Sequence, residues 1–237
     1  MPTVLTHLGF VGSLKHKNTK LFKSLDLNYV NSGALFPDYY GFYKIQLNEK
    51  FAFFSEIRDE KGIVFGKRMY SLAKTKEEKS FAIGFITHTV LDKYFHKYFK
   101  MQGITTIEDH LMLEFFYDCK FKNQKIKPII YTKGIIEKTL NKYYPNLNCK
   151  NTGINNIKIL GYYLFLKEIQ IKIIHDKYLS NRKSHIDVLA SSFYRDAALL
   201  RKLITPNLQL KKKHLKNLET EFKKAKIEMN KILEKLN

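Results

Sequence analysis

The stretch GFITHTVLDKYFHKY, residues 84–98, decides how this chain is expected to fold. It places His88, Asp92 and His96 four residues apart among apolar residues. At about 100° per residue, each step of four advances only about 40° around a helix axis, so the three side chains share one face of a predicted helix. Upstream, Thr75 and Glu78 have the spacing of a capping box, which predicts that this helix begins there.

The next segment, TTIEDHLMLEFF at residues 105–116, predicts a second helix. Thr105 and Glu108 again have capping-box spacing, and His110 and Glu114 lie one turn apart. Imidazole and carboxylate groups are the side chains that zinc binds besides thiolates. The two helices together therefore offer five potential metal ligands.

The spacing also predicts how many ions these ligands serve. His88 and His96 lie about 12 Å apart along a helix, whereas a Zn–N bond is only about 2.0–2.1 Å, so one ion cannot take both. Asp92 lies between them and has two oxygens with which to bridge two cations, while His96 would join His110 and Glu114 on another. The alternative is that all five are ordinary polar residues of amphipathic helices. Their common register favours metal binding.

These segments resemble the bacterial zinc-dependent phospholipase C family, which shares its fold with fungal single-strand-specific nucleases. In that family a His-x3-Asp-x5-to-x9-His stretch and a following His-x3-acid pair supply most ligands of a three-zinc site. The resemblance implies these roles for His88, Asp92 and His96 and for His110 and Glu114, although the gap from Asp92 to His96 is shorter here. It also implies an all-α, multi-helix domain.

A weaker match lies at the amino terminus, in MPTVLTHLGF at residues 1–10. It is similar to the family segment in which a free terminal amine and a nearby histidine bind one zinc. Removal of the initiator Met would present the secondary amine of Pro2, and His7 matches the histidine. The alternative is a frayed terminus with a locally hydrogen-bonded His7.

A second weaker match is ALFPDYYGFY, residues 34–43. It resembles the family's small-x-x-Pro-Asp turn, which implies that Asp38 is a carboxylate ligand or a proton acceptor. Residues 33–41 accordingly predict a turn-rich junction, with Pro37 opening a helix. The alternative for Asp38 is a simple charge at a helix end.

One departure from the family pattern concerns the stretch between Asp38 and His88. The family has another metal-binding histidine there, whereas this chain has none, and Arg58 aligns in its place. A guanidinium group has no lone pair to offer a cation. Three outcomes stay open: a water in the vacant position, another residue such as His16 or His175, or replacement of the ion by Arg58.

The resemblance implies a metal-dependent phosphodiester hydrolase in which a cluster of up to three zinc ions activates water. Asp92 would bridge two ions, Asp38 would bind zinc and orient or deprotonate the water, and the site of His96, His110 and Glu114 would hold zinc most tightly. No G-x-S-x-G, glycine-rich phosphate loop or H-E-x-x-H motif supports another mechanism. The alternative is a degenerate, non-catalytic member with one structural zinc that binds an anionic partner. Phospholipid and single-stranded nucleic acid both remain candidate substrates.

Length and composition favour one domain over residues 1–237, with the motifs in 1–118 and a helical remainder in 119–237. Cys119 and Cys149 lack C-x-x-C spacing and are expected to be reduced structural thiols. Neither a signal-length apolar segment nor a run of eighteen apolar residues occurs, which predicts a cytoplasmic protein. The net charge of +20 weakly supports an anionic substrate, and peripheral contact with an anionic membrane or another polyanion stays open.

Further helices are predicted at residues 61–74, 157–178 and 186–204, and a long one over 208–236. The last has an apolar stripe at spacings of three and four and a basic opposite face. A helix docked on the domain with solvated lysines is favoured over a membrane-surface or coiled-coil role. The stripe comprises Leu215, Leu218, Phe222, Ala225, Met229, Ile232 and Leu236.

Overall fold

The computed structural model describes residues 4–47, 58–104, 113, 117, 119–121, 133–144 and 208–236. Within these ranges the chain is helical and has no β-strand, which confirms the all-α prediction. Residues Cys119–Phe121 form a 3-10 turn. The α-helices are α1 (Val4–Lys17), α2 (Thr19–Ser24), α3 (Leu27–Leu47), α4 (Asp59–Leu72), α5 (Lys76–Met101), α6 (Lys133–Tyr143) and α7 (Leu208–Leu236).

Helix α5 is the central element, and it starts where the capping box predicts. The Glu78 backbone amide donates to the Thr75 hydroxyl at 3.2 Å, and the Thr75 amide donates to the Glu78 carboxylate at 3.4 Å. Every residue from Ser80 to Asp92 is buried. Helices α1, α3, α4 and α7 all pack against α5. A helix surrounded in this way can hold polar groups inside the protein.

Helices α3 and α5 cross at two glycines, Gly33 and Gly84. A Cβ on Gly33 would lie 2.0 Å from the Phe81 carbonyl oxygen, and one on Gly84 would lie 1.9 Å from that of Val30. The two backbones can therefore touch only because both residues lack a side chain. This crossing brings the second half of α3 beside the middle of α5.

The prediction of a turn-rich junction at residues 33–41 is wrong. Helix α3 runs without a break from Leu27 to Leu47, and Pro37 lies inside it instead of opening it. Gly33 serves the close contact with α5 and not a turn. Leu35 and Phe36 are buried beside it, so tertiary packing outweighs the local helix-breaking preference of glycine and proline.

Helix α7 docks through the predicted stripe, as expected. Leu218, Phe222, Ala225, Met229 and Ile232 are buried in the same core as α5. Its basic face points outward, with exposed residues at Lys213, Lys216, Lys223 and Lys224.

Polar contacts also tie α7 to the other helices. Lys93 on α5 bonds to both carboxylate oxygens of Glu228, at 3.0 and 2.9 Å. Asn18 donates to Asn230 at 2.7 Å. The first pair joins α7 to α5, and the second joins α7 to the residue between α1 and α2.

The predicted helix at 61–74 corresponds to α4, which begins two residues earlier. The predicted helices at 157–178 and 186–204 and the capping box at Thr105 lie outside the described residues. Of the helices that are described, none combines the length and apolar character required to span a bilayer.

Candidate metal centre

Two histidines and two aspartates from three helices meet inside the protein. Helix α1 contributes His7, α3 contributes Asp38, and α5 contributes His88 and Asp92. Their exposed fractions are 0%, 2%, 1% and 7%. Four ionisable side chains at such depth need strong mutual interactions or a bound ion, because burying a charge without compensation costs several kcal/mol or more.

The two imidazole Nε2 atoms face the two carboxylates. His88 Nε2 lies 3.1 Å from Asp92 Oδ2 and 3.8 Å from Asp38 Oδ1. His7 Nε2 lies 3.5 Å from Asp92 Oδ1 and 3.5 Å from Asp38 Oδ2. Each aspartate therefore presents one oxygen to each histidine.

The other ring nitrogen of His88 is held by the backbone of α3. Nδ1 lies 2.7 Å from the Ala34 carbonyl oxygen, which can only accept, so Nδ1 carries a proton. In the neutral ring this leaves the lone pair on Nε2, the atom that faces the aspartates. The orientation follows from the close α3–α5 crossing, since Ala34 lies next to Gly33 in that contact.

The histidine rings stack with their centroids 4.0 Å apart and their planes at 14°. Burial lowers the pKa of His7 well below its usual value, and the neighbouring His88 adds to this. Burial also opposes a charge on His88, but Asp92 and Asp38 outweigh it and raise the pKa of His88 to about 9. Without a metal, the stack thus pairs a neutral ring with a charged one.

Despite its burial, Asp92 has a pKa well below the usual carboxyl value because His88 and His96 stabilise the anion. Asp92 therefore carries its negative charge whether or not a cation is bound. An ionised carboxylate between histidines is the donor set that zinc prefers when thiolates are absent.

The residues fit a divalent cation by three criteria. One ligand atom from each of His7, His88 and Asp92 lies within 4.8 Å of the others. Four ligands at about 2.0–2.1 Å around a tetrahedral zinc lie about 3.3 Å from one another, close to the separations found here. Within the described part of the chain, both ring nitrogens of His7 and Asp92 Oδ1 have no hydrogen-bond partner. A cation beside His7 Nε2 and Asp92 Oδ1 would satisfy those two atoms.

His96 stands at the edge of this group, next to Asp92. Its Nε2 atom lies 3.9 Å from Asp92 Oδ2, and its Nδ1 atom lies 3.3 Å from Asp59 Oδ1 at the start of α4. The hydrogen bond with His96 lowers the pKa of Asp59. His110, Glu114 and Pro2 lie outside the described residues, so the predicted site of His96, His110 and Glu114 and the terminal-amine ligand stay predictions.

The structure also bears on the missing family histidine. His7, which the resemblance assigned to an amino-terminal zinc, lies beside Asp38, His88 and Asp92. Arg58 is exposed at the start of α4, and His16 is exposed near the end of α1. His175 lies outside the described residues. Neither described candidate for the vacant position, Arg58 or His16, belongs to the buried group, whereas His7, which was not considered for that position, does.

The contact between Asp59 and His96 is one that the sequence did not reveal. It lies 37 residues before His96 on another helix, so helical spacing could not connect them. It directly follows Arg58 in the region where the family histidine was sought, and that proximity was the only available signal.

Comparison with known proteins agrees with this geometry. A profile of the zinc-dependent phospholipase C family matches residues 3–157, which exceeds half of the chain and reaches beyond the motifs in 1–118. The chain belongs to the zinc-dependent phospholipase C family. No curated protein and no solved structure gave a significant match.

Proposed function

We propose that this protein is a metal-dependent phosphodiester hydrolase of the phospholipase C type. The observation that carries the proposal is the buried group of His7, Asp38, His88 and Asp92, whose ligand atoms have the separations of a zinc site. Family membership supports zinc as the metal. The number of ions, up to three, belongs to the proposal.

When bound, zinc would supply Lewis-acid polarisation of the phosphoryl oxygen and of an attacking water. The protein's own residues supply position and charge. Asp92 lies between His88 and His96, with Oδ2 at 3.1 Å from one Nε2 atom and 3.9 Å from the other, which suits a ligand that would bridge ions at these two histidines. Asp38 faces both histidines from the opposite helix and is our candidate for orienting the water and accepting its proton.

We propose a second zinc at His96, with His110 and Glu114, and a third zinc whose ligands include the amine of Pro2. For the substrate, family membership supports a phospholipid, and the net charge of +20 supports an anionic one. Single-stranded nucleic acid is the competing substrate. A degenerate member with one structural zinc is the competing function.

The test combines metal content with hydrolysis of bis-p-nitrophenyl phosphate. We expect two or more zinc ions per chain, and a loss of at least about 100-fold in hydrolysis in Asp92→Asn, because removing the bridging charge weakens the site. Glu234→Gln, which neutralises an exposed carboxylate on α7, is the matched control and should keep full activity.

Each alternative has its own outcome. One zinc per chain without hydrolysis would replace the hydrolase with the structural-zinc binder, and no zinc at all would refute both. Phosphatidylcholine vesicles and single-stranded DNA, offered separately to the active protein, would then decide the substrate. Binding of DNA that falls steeply with salt and survives chelation would indicate attraction by charge alone.

A further inference from the structure

Asp59 has a left-handed backbone, which is uncommon for a residue other than glycine. Its φ is +48°, and it is the one non-glycine residue with positive φ in the described part of the chain. A left-handed conformation brings the Cβ atom of an L-residue too close to the following carbonyl oxygen, and glycine avoids this clash. An aspartate kept in such a conformation points to a specific interaction of its side chain.

The side chain of Asp59 reaches across from α4 to α5. Its Oδ1 atom lies 3.3 Å from His96 Nδ1, within hydrogen-bonding distance. A carboxylate oxygen accepts, so the imidazole donates and its proton lies on Nδ1. In the neutral ring, the lone pair is then on Nε2.

The opposite nitrogen of His96 points towards the candidate metal centre. Nε2 lies 3.9 Å from Asp92 Oδ2, too far for a hydrogen bond between them. A histidine that binds metal through one nitrogen generally donates its other N–H to a carboxylate or carbonyl. His88 has this arrangement with Ala34, and His96 has it with Asp59.

We propose that Asp59 is a positioning residue that holds the proton of His96 on Nδ1 and so keeps Nε2 available as a ligand beside Asp92. The inference deepens the proposed function and rests on it for the identity of the cation. The contact itself is a property of the metal-free protein.

A simpler explanation is that Asp59 only adds negative charge to the start of α4, which the helix dipole favours. Glu60 supplies the same charge one residue later, with ordinary backbone geometry and an ion pair to Lys93 at 2.6 Å. Helix-end charge therefore explains neither the left-handed φ nor the direction of the Asp59 side chain.

The experiment reads the tautomer of His96 directly. Long-range proton–nitrogen NMR of the imidazoles in the metal-free, 15N-labelled protein shows which nitrogen carries the proton, at a pH where the ring is neutral. The signals of His96 are assigned from their loss in His96→Gln. We expect Nδ1–H in the wild type and a shift to Nε2–H in Asp59→Gly, which relieves the backbone and removes the carboxylate.

Two further variants separate charge from geometry. Asp59→Asn tolerates the same backbone and keeps a neutral oxygen acceptor, so it should retain part of the Nδ1–H population. Glu60→Gln is the control and should leave the tautomer unchanged. Zinc affinity, measured by competition with a chelator, should fall about 10–100-fold in Asp59→Gly.

The same tautomer in the wild type and in Asp59→Gly would overturn the inference, as would Nε2–H in the wild type. If the tautomer shifts as expected but the wild type binds no zinc, the positioning contact stands and the proposed hydrolase fails. If zinc binds and the tautomer does not shift, the hydrolase stands and Asp59 loses its role.

Discussion

Replacing Gly84 with alanine tests whether the close crossing of α3 and α5 builds the metal centre. The new Cβ would lie 1.9 Å from the Val30 carbonyl oxygen and 2.8 Å from the Ala34 amide nitrogen. Real Cβ contacts are essentially never shorter than 3.0 Å, and both obstacles are backbone. The helices must therefore move apart by about 1 Å.

This displacement of the helices would occur one helical turn from the metal centre. His88 lies one turn beyond Gly84, and its 2.7 Å bond to the Ala34 oxygen would stretch past hydrogen-bonding range. Overpacking costs about 1–3 kcal/mol, and an unsatisfied buried polar group costs about 1–3 kcal/mol more. We expect the free energy of unfolding to fall by about 2–6 kcal/mol, which lowers Tm by on the order of 10 °C.

Thermal unfolding followed by circular dichroism, with zinc content measured on the same samples, is the assay. Gly134→Ala is the matched control, because a Cβ there meets nothing within 4 Å and lies in a helix. That variant should be neutral or more stable by about 0.5–1 kcal/mol, since alanine favours helix more than glycine. If Gly84→Ala has the same Tm as Gly134→Ala and keeps its zinc, the crossing of α3 and α5 does not position the metal centre.

Two further predictions concern protons and packing. In the metal-free protein at pH 7.5, His88 is protonated because Asp92 and Asp38 raise its pKa to about 9, whereas His7 and Asp92 have already lost their protons. Zinc binding should therefore release about one proton from His88 at pH 7.5 and almost none above about pH 10. Calorimetry in buffers of different ionisation enthalpy will measure the number of protons released. A constant release across this pH range would contradict the assignment of the proton to His88. Phe222→Ala should lower the free energy of unfolding by about 3–5 kcal/mol in urea, because this ring packs against aromatic neighbours at centroid distances of 5.0, 5.9 and 5.6 Å. The control is Ile227→Ala, which alters a side chain on α7 that is 58% exposed and should change the free energy of unfolding by less than about 0.5 kcal/mol. If both variants lower the free energy of unfolding equally, α7 is not docked through Phe222.

Local spacing predicted the elements whose signals lie within a few turns of one helix. The capping box of Thr75 and Glu78 marked the start of α5, and the stripe of α7 marked its buried face; the structure confirms both. The shared face of His88 and Asp92 follows from the same periodicity. Such patterns need only the geometry of a helix, which neighbouring residues determine.

Residues 33–41 show where local rules fail. Glycine and proline there predicted a turn, because both usually interrupt helices. Instead Gly33 permits contact with α5, and α3 continues through Pro37. The choice between a turn and a close contact depends on a partner helix that lies far away along the chain, so sequence spacing could not decide it.

By itself, the sequence determined helices α4, α5 and α7, the family and the ligand types on α5, because each has a signal in residues that are close along the chain. Only the tertiary structure decided that His7 and Asp38 meet His88 and Asp92, and that Asp59 reaches His96 from another helix. The reason is that these contacts join residues on different helices, so they depend on how closely the helix backbones pack, as at the Gly33–Gly84 crossing.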